Sequence, residues 1–234
     1  MYRYRVIFIK EGDFTCLSHL DLQRTFIRAL RRAGVPLAFS QGFNPQPRLS
    51  FAAPLAVGIE SDGEYLEFDL TLPRESDQLK SALNRQLPPE LAIRRVQEVD
   101  PDAPFLTSLV QAALYIAVFP NPVAELASAV QSLKESAVLE VERKGNNAKK
   151  RVDIRPFIYS LHLQNASGES KLFMFLATGN QGGARPGEVL KLLPLQDGLI
   201  RVRRLAIFVQ GPKDYITPEG ETLSAYLDRM CINT

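Results

Sequence analysis

Twice along this chain the spacing of apolar residues changes in the same order, and that repetition limits its possible folds more than any other feature. YRYRVIFI at the start alternates with period two, the pattern of a strand with one buried face. SHLDLQRTFIRALRRAG then takes helical period, with Leu22, Phe26, Ala29, Leu30 and Ala33 on one side. Ser18 with Asp21 three residues on resembles a capping box, and Gly34 suits the helix stop. VPLAFS and RLSFAAPLAVG are strand-like, GEYLEFDLTL is a strand led in by the turn signal ESDG, SDQLKSALNRQL is a short helix closed by Pro88-Pro89, and LAIRRVQEV is a strand. The order β-α-β-β-α-β is the split βαβ arrangement of ferredoxin-like folds.

DPDAPFLTS (100–108) reads as a linker, and after it the order recurs. SLVQAALYIAVF is a strand, and NPVAELASAVQSLKES a helix capped by Asn121 with Pro122 at its first position. VLEVERK is a strand followed by a loop, GNNAKKR; FIYSLHLQ and SKLFMFLAT form a hairpin across NASGE. RPGEVLKLL is a short helix and LIRVRRLAIFV a closing strand, while the tail 211–234, with ETLSAYLDRM helical, falls outside the repeat. The expected fold is therefore α+β, two ferredoxin-like halves in tandem, 1–100 and 101–234, the second carrying the tail.

Composition removes several classes of function. Apolar residues make up 45% of the chain, enough to bury a core, so disorder is not expected. Two cysteines, Cys16 and Cys231, and two histidines, His19 and His162, stand at no metal-ligand spacing, so neither metal nor cofactor is expected. The first residues reach Glu11 and Asp13 before any signal-peptide core, and LVQAALYIAVF is about half the ~20 residues a membrane helix needs. The expectation is a soluble cytoplasmic protein with no membrane partner.

The net charge of +2 says little, but its distribution is uneven. Arg24, Arg28, Arg31 and Arg32 lie opposite the apolar side of the first helix with only Asp21 as an acidic neighbour: an anion-binding face, or a plain solvent face. His19, at the start of that helix, is either a general acid or base or a ring packed against the core. SQGFNPQPRLSF spends Gly42, Pro45 and Pro47 on one connection and holds up Phe43, Asn44 and Arg48, which can stack on a base and grip a phosphate; the plain alternative has Phe43 as a core plug. KKRVDIRP brings Lys149, Lys150, Arg151 and Arg155, a phosphate-neutralising run or a solvated one. TGNQGGARPGE offers glycine N–H groups and Arg185 to an anion, but it has neither dinucleotide- nor P-loop spacing.

The motif SHLD…RALRRAG…S-x-GFNP-x-PR, with VDIRP and a later ARP, resembles a radical-SAM-linked bacterial family of unknown function, over nearly the whole chain. Members stand alone or are fused C-terminally to radical SAM enzymes. Where that family often has His between the two prolines, this chain has Gln46, which speaks against a metal or proton-transfer role there. The resemblance implies a radical SAM enzyme as partner, which this chain cannot itself be, having no C-x-x-x-C-x-x-C to hold a cluster. The reading that results is a non-catalytic accessory module that binds transfer or ribosomal RNA and presents it to that enzyme. Two alternatives stand beside it: a metal-independent endoribonuclease using His19, and a protein-interaction domain docking on the enzyme.

Overall fold

β1 (Tyr2–Lys10) places Tyr4, Val6 and Phe8 on one face of a sheet and Arg3 and Arg5 on the other, as a period of two requires. The computed structural model describes residues 1–119, 125–144, 149–166, 168–179, 182–194 and 201–232. Mixed helices and strands make the chain α+β, and it divides into two units, Met1–Val110 and Gln111–Thr234.

In the first unit β1 is followed by α1 (His19–Arg32), β2 (Leu49–Phe51), β3 (Glu60–Leu70), α2 (Ser76–Asn84), β4 (Ile93–Val99) and a single turn, α3 (Leu106–Leu109). The strands lie in the order β4-β1-β3 with β2 along β3, every pair antiparallel. α1 starts where the Ser18 hydroxyl accepts the Asp21 N–H at 3.2 Å, and it stops at Gly34, whose φ of +65° suits glycine. Its buried residues Leu22, Phe26, Ala29 and Leu30 pack with Phe8, Phe51 and Phe68; the Phe8 and Phe26 rings are 4.6 Å apart. α2 adds Leu79 and Leu83 to the same core.

VPLAFS, expected as a strand, forms only isolated bridges, Leu37 to Leu70 and Phe39 to Pro47. The reason is that residues 38–48 fold back on themselves as a hairpin: Arg48 N–H donates to Ala38 O at 2.9 Å and Ser40 N–H to Gln46 O at 2.8 Å. The second strand-like piece shrinks accordingly to β2. The segment 100–108, expected as a linker, packs with the first unit and includes the start of α3.

The second unit contains β5 (Val110–Phe119), α4 (Leu126–Glu135), β6 (Glu140–Lys144), β7 (Lys149–Asp153), β8 (Ile158–Ala166), β9 (Glu169–Ala177), α5 (Pro186–Leu190), β10 (Arg201–Gln210), β11 (Tyr215–Ile216) and α6 (Leu223–Arg229). Its sheet runs β10-β5-β9-β8, with β11 on β10. KKRVD does not continue a loop: it is β7, antiparallel to β6 in a separate ribbon with Lys149 opposite Lys144 and Arg151 opposite Glu142. The tail closes one face of the sheet, where Tyr226, Leu223, Leu227 and Tyr215 pack against Leu114, Phe175 and Phe208. The proposed cap residues Asn121 and Pro122, the loop 145–148, and Asn180 and Gln181 lie outside the described residues.

Candidate nucleic-acid interface

α1 exposes all four arginines of its outer side, and Asp21 is its one acidic residue. The Asp21 carboxylate accepts the Ser18 hydroxyl at 2.7 Å and Arg24 Nη1 at 3.2 Å, and these bonds, Ser18 first, hold its pKa below the usual carboxylate range. Arg28 Nη2 is 3.5 Å from the Thr25 hydroxyl, and Arg32 Nη2 donates to Gln86 O at 2.9 Å. The Arg31 guanidinium makes no ion pair or hydrogen bond among the described residues, and the residue is exposed. Among the described residues, three of the four guanidinium groups thus make no ion pair with a carboxylate.

The hairpin 38–48 presents Phe43 at its tip with its ring completely exposed (111% relative accessibility), so it is not a core plug. Gly42, just before Phe43, has a φ of +126°, a backbone conformation that favours glycine. The base of the hairpin is clamped. Arg48 Nε donates to Asp69 Oδ2 at 2.7 Å, while Arg3 Nε donates to Asp69 Oδ1 at 2.8 Å, and the Asp69 side chain is 1% exposed. Asn44 Oδ1 accepts Gln46 Nε2 at 3.3 Å. His19 is exposed at the helix start with its ring edge-on to Phe51, centroids 5.2 Å apart.

Cations of the second unit are more heavily committed. Lys149 pairs with Glu142 at 2.8 Å and Arg151 with Glu140 at 3.5 Å across the ribbon, and Lys150 lies opposite Arg143. Arg155 donates to the carbonyls of Ser136, Ile158 and Lys134, so its guanidinium ties the end of α4 to β8. Asp153 accepts the N–H groups of Leu139 and Arg155, both at 2.9 Å, and these two bonds lower its pKa. VDIRP therefore works as a brace among the described residues. At TGNQGGARPGE, Arg185 is exposed, but its N–H is taken by Glu188 Oε2 at 2.9 Å. Burial pushes the Glu188 pKa up, and hydrogen bonds from Arg143 and the Arg185 N–H outweigh this to leave it lowered. A side chain on Gly183 would sit 2.4 Å from Ala177 O, so that glycine serves close packing. The cavity of about 410 Å³ between this turn and the β6-β7 ribbon mixes Glu140, Glu142 and Glu188 with Arg143, Lys144 and Lys149. Both signs in one cavity make a poor anion site.

Sequence reasoning missed the ionic ladder on the second face of the first sheet. Arg3 stands directly opposite Asp69 and Arg5 opposite Glu67, with Arg5 Nη2 at 2.9 Å from Glu67 Oε1. Segment 100–109 covers the ladder: Arg3 donates to Ala103 O, its guanidinium lies 3.8 Å over the Phe105 ring, and Glu67 Oε2 accepts the Leu106 N–H at 2.7 Å. The signal was present in YRYR and EFD, where opposite charges alternate on two strands expected in one sheet.

A stretch of 55 residues, 24% of this chain, is 38% identical to tRNA pseudouridine synthase A of Geobacillus kaustophilus (strain HTA426) and covers 21% of that protein. Another match, 39% identical over 54 residues or 23% of this chain, covers 22% of tRNA pseudouridine synthase A of Geobacillus sp. (strain WCH70). The chain thus spans about a fifth of the length of these curated relatives. A family model of far wider reach matches residues 3–186, across both units. By that match the chain belongs to DUF2344, a family of uncharacterized proteins conserved in bacteria.

Proposed function

We propose that this protein is a cytoplasmic accessory module that binds RNA through the outer side of α1 and presents it to a radical SAM enzyme. The observation that carries the reading is the exposure of Arg24, Arg28, Arg31 and Arg32 on one helix with a single carboxylate among them. Like charges three and four residues apart repel by a few tenths of a kcal/mol per pair, and a polyanion laid along the helix removes that cost. RNA is favoured over an acidic protein surface by Phe43, which offers a stacking face in the same unit. Transfer RNA is the first RNA to try, since the printed names of both partial relatives refer to it. The radical SAM partner rests on the resemblance carried by SHLD…RALRRAG…S-x-GFNP-x-PR with VDIRP and ARP.

We read both units as ferredoxin-like, in tandem. In each, the principal strands taken in chain order occupy the sheet as fourth, first, third, second: β4-β1-β3-β2 and β10-β5-β9-β8. Fluorescence anisotropy with a bulk transfer RNA pool tests the binding. The wild-type protein is expected to bind at low salt, and R28E/R31E to bind at least tenfold more weakly with an unchanged melting temperature. Equal affinities, or a wild-type protein that binds no RNA, would overturn the reading.

A further inference from the structure

Phe43 is the most exposed of the large apolar side chains among the described residues. A phenylalanine left fully in water forgoes the stabilisation that burying its ring would bring. The hairpin nonetheless holds it out firmly. Two backbone hydrogen bonds and the Phe39–Pro47 bridge close the hairpin, the Ser40 hydroxyl accepts the Gln46 N–H at 3.0 Å, and the Arg48–Asp69–Arg3 clamp fixes the base. Among the described residues the ring makes no contact with another ring or with a cation.

The same hairpin tip carries two side-chain amides joined to each other. Gln46 Nε2 donates to Asn44 Oδ1, which occupies one donor and one acceptor of the pair. The Asn44 Nδ2 donor and the Gln46 Oε1 acceptor remain, and both residues are exposed. A donor next to an acceptor is the complement of a nucleobase edge, the pattern by which Asn and Gln read bases. An aromatic face with an amide donor and acceptor on the same tip fits one ligand class well: a base that is neither paired nor stacked in a helix.

We propose that the tip of the 38–48 hairpin binds an unpaired RNA nucleotide, with Phe43 stacking on the base and Asn44 and Gln46 reading its edge. This rests on the proposed RNA role of α1 and adds to it the kind of RNA that is bound. Arginines on a helix side grip phosphates of either single or double strands, whereas this tip discriminates between them.

The chain has no tryptophan, so F43W places a lone, selectively excited indole at the tip. The probes are a short oligoribonucleotide, the same sequence as a duplex, and homopolymers of A, C and U. Wild-type protein is expected to prefer the single strand over the duplex by about tenfold, and F43A to lose roughly that factor on the single strand only. F43W should retain the affinity and its emission should change on adding single strand. N44A/Q46A should level the differences among homopolymers. Because all these positions are exposed, every variant should melt like the wild type.

RNA binding that is indifferent to strandedness and to F43A overturns this proposal while leaving the α1 reading in place. Failure of the wild type to bind any probe at low salt overturns the α1 reading itself. Phe43-dependent capture of a protein, with RNA affinity untouched by F43A, assigns the tip to a protein partner and also overturns the proposal.

Discussion

Asp69 accepts from Arg3 and Arg48 at once, from a position that water hardly reaches. Asp69→Asn would leave the buried Arg3 without its countercharge, and such a loss typically costs about 3–5 kcal/mol. Urea denaturation of D69N should show that loss. R48A should cost less, because Arg3 still neutralises Asp69. R48A also separates two roles. As a clamp, Arg48 can be removed without changing the salt dependence of RNA binding; as a phosphate ligand, its removal would lower the slope by about one. The engagement of its Nε at 2.7 Å predicts the former. Asp153 provides a pH test at the same scale. Its folded pKa is lowered by the Leu139 and Arg155 N–H groups, so the stability it contributes is present above its unfolded value of about 3.9 and is lost as pH falls through the folded value. The melting-temperature gap between wild type and D153N should be open at pH 7 and close in acid below about pH 4.

Elements follow the sequence where one period dominates. β1, α1, α2 and β4 were legible because their apolar residues repeat cleanly and Ser18 and Gly34 mark the ends of α1. Three features were not legible. The hairpin 38–48 has strand-like flanks whose partners are each other, a pairing that apolar spacing does not encode. β7 consists largely of charged residues and is stabilised by ion pairs to β6, so it carries no apolar signal. The segment 100–109 looks like a linker because the groups that hold it, Arg3 and Glu67, lie far back in the chain. At the candidate site, the arginine side of α1 was readable from helical period, while the clamp that occupies Arg48 was not. Two element-scale tests follow. G183A must displace the end of β9, since its Cβ would meet Ala177 O at 2.4 Å, and overpacking of that kind costs typically about 1–3 kcal/mol in a denaturant melt. Burial, with the hydrogen bond that the Tyr215 hydroxyl donates to Tyr159 as second cause, pushes the Tyr215 pKa up to about 12. The stability this contributes is present below the unfolded value of about 10 and is lost as pH rises through about 12, so the tail should loosen in alkali. A phenolate titration should lose its step near 12 in Y215F.

Across the whole molecule a net charge of +2 hides an uneven division of labour among its cations. In the second unit, Arg143, Lys149, Arg151 and Arg155 are spent on carboxylates and carbonyls that brace the β6-β7 ribbon and the end of α4. In the first, Arg3, Arg5 and Arg48 form a ladder with Asp69 and Glu67, while Arg28, Arg31 and Arg32 are exposed and make no ion pair among the described residues. Charge that braces a fold is insensitive to a ligand, and charge left outward is available to one. The central claim is that this outward set meets phosphates. Its most direct test is the slope of log affinity against log salt for single-stranded RNA, measured on wild type and on R28A/R31A. The account predicts a steep negative slope for the wild type that becomes shallower by about two in the variant, one for each phosphate contact removed. Parallel slopes for the two proteins would contradict it.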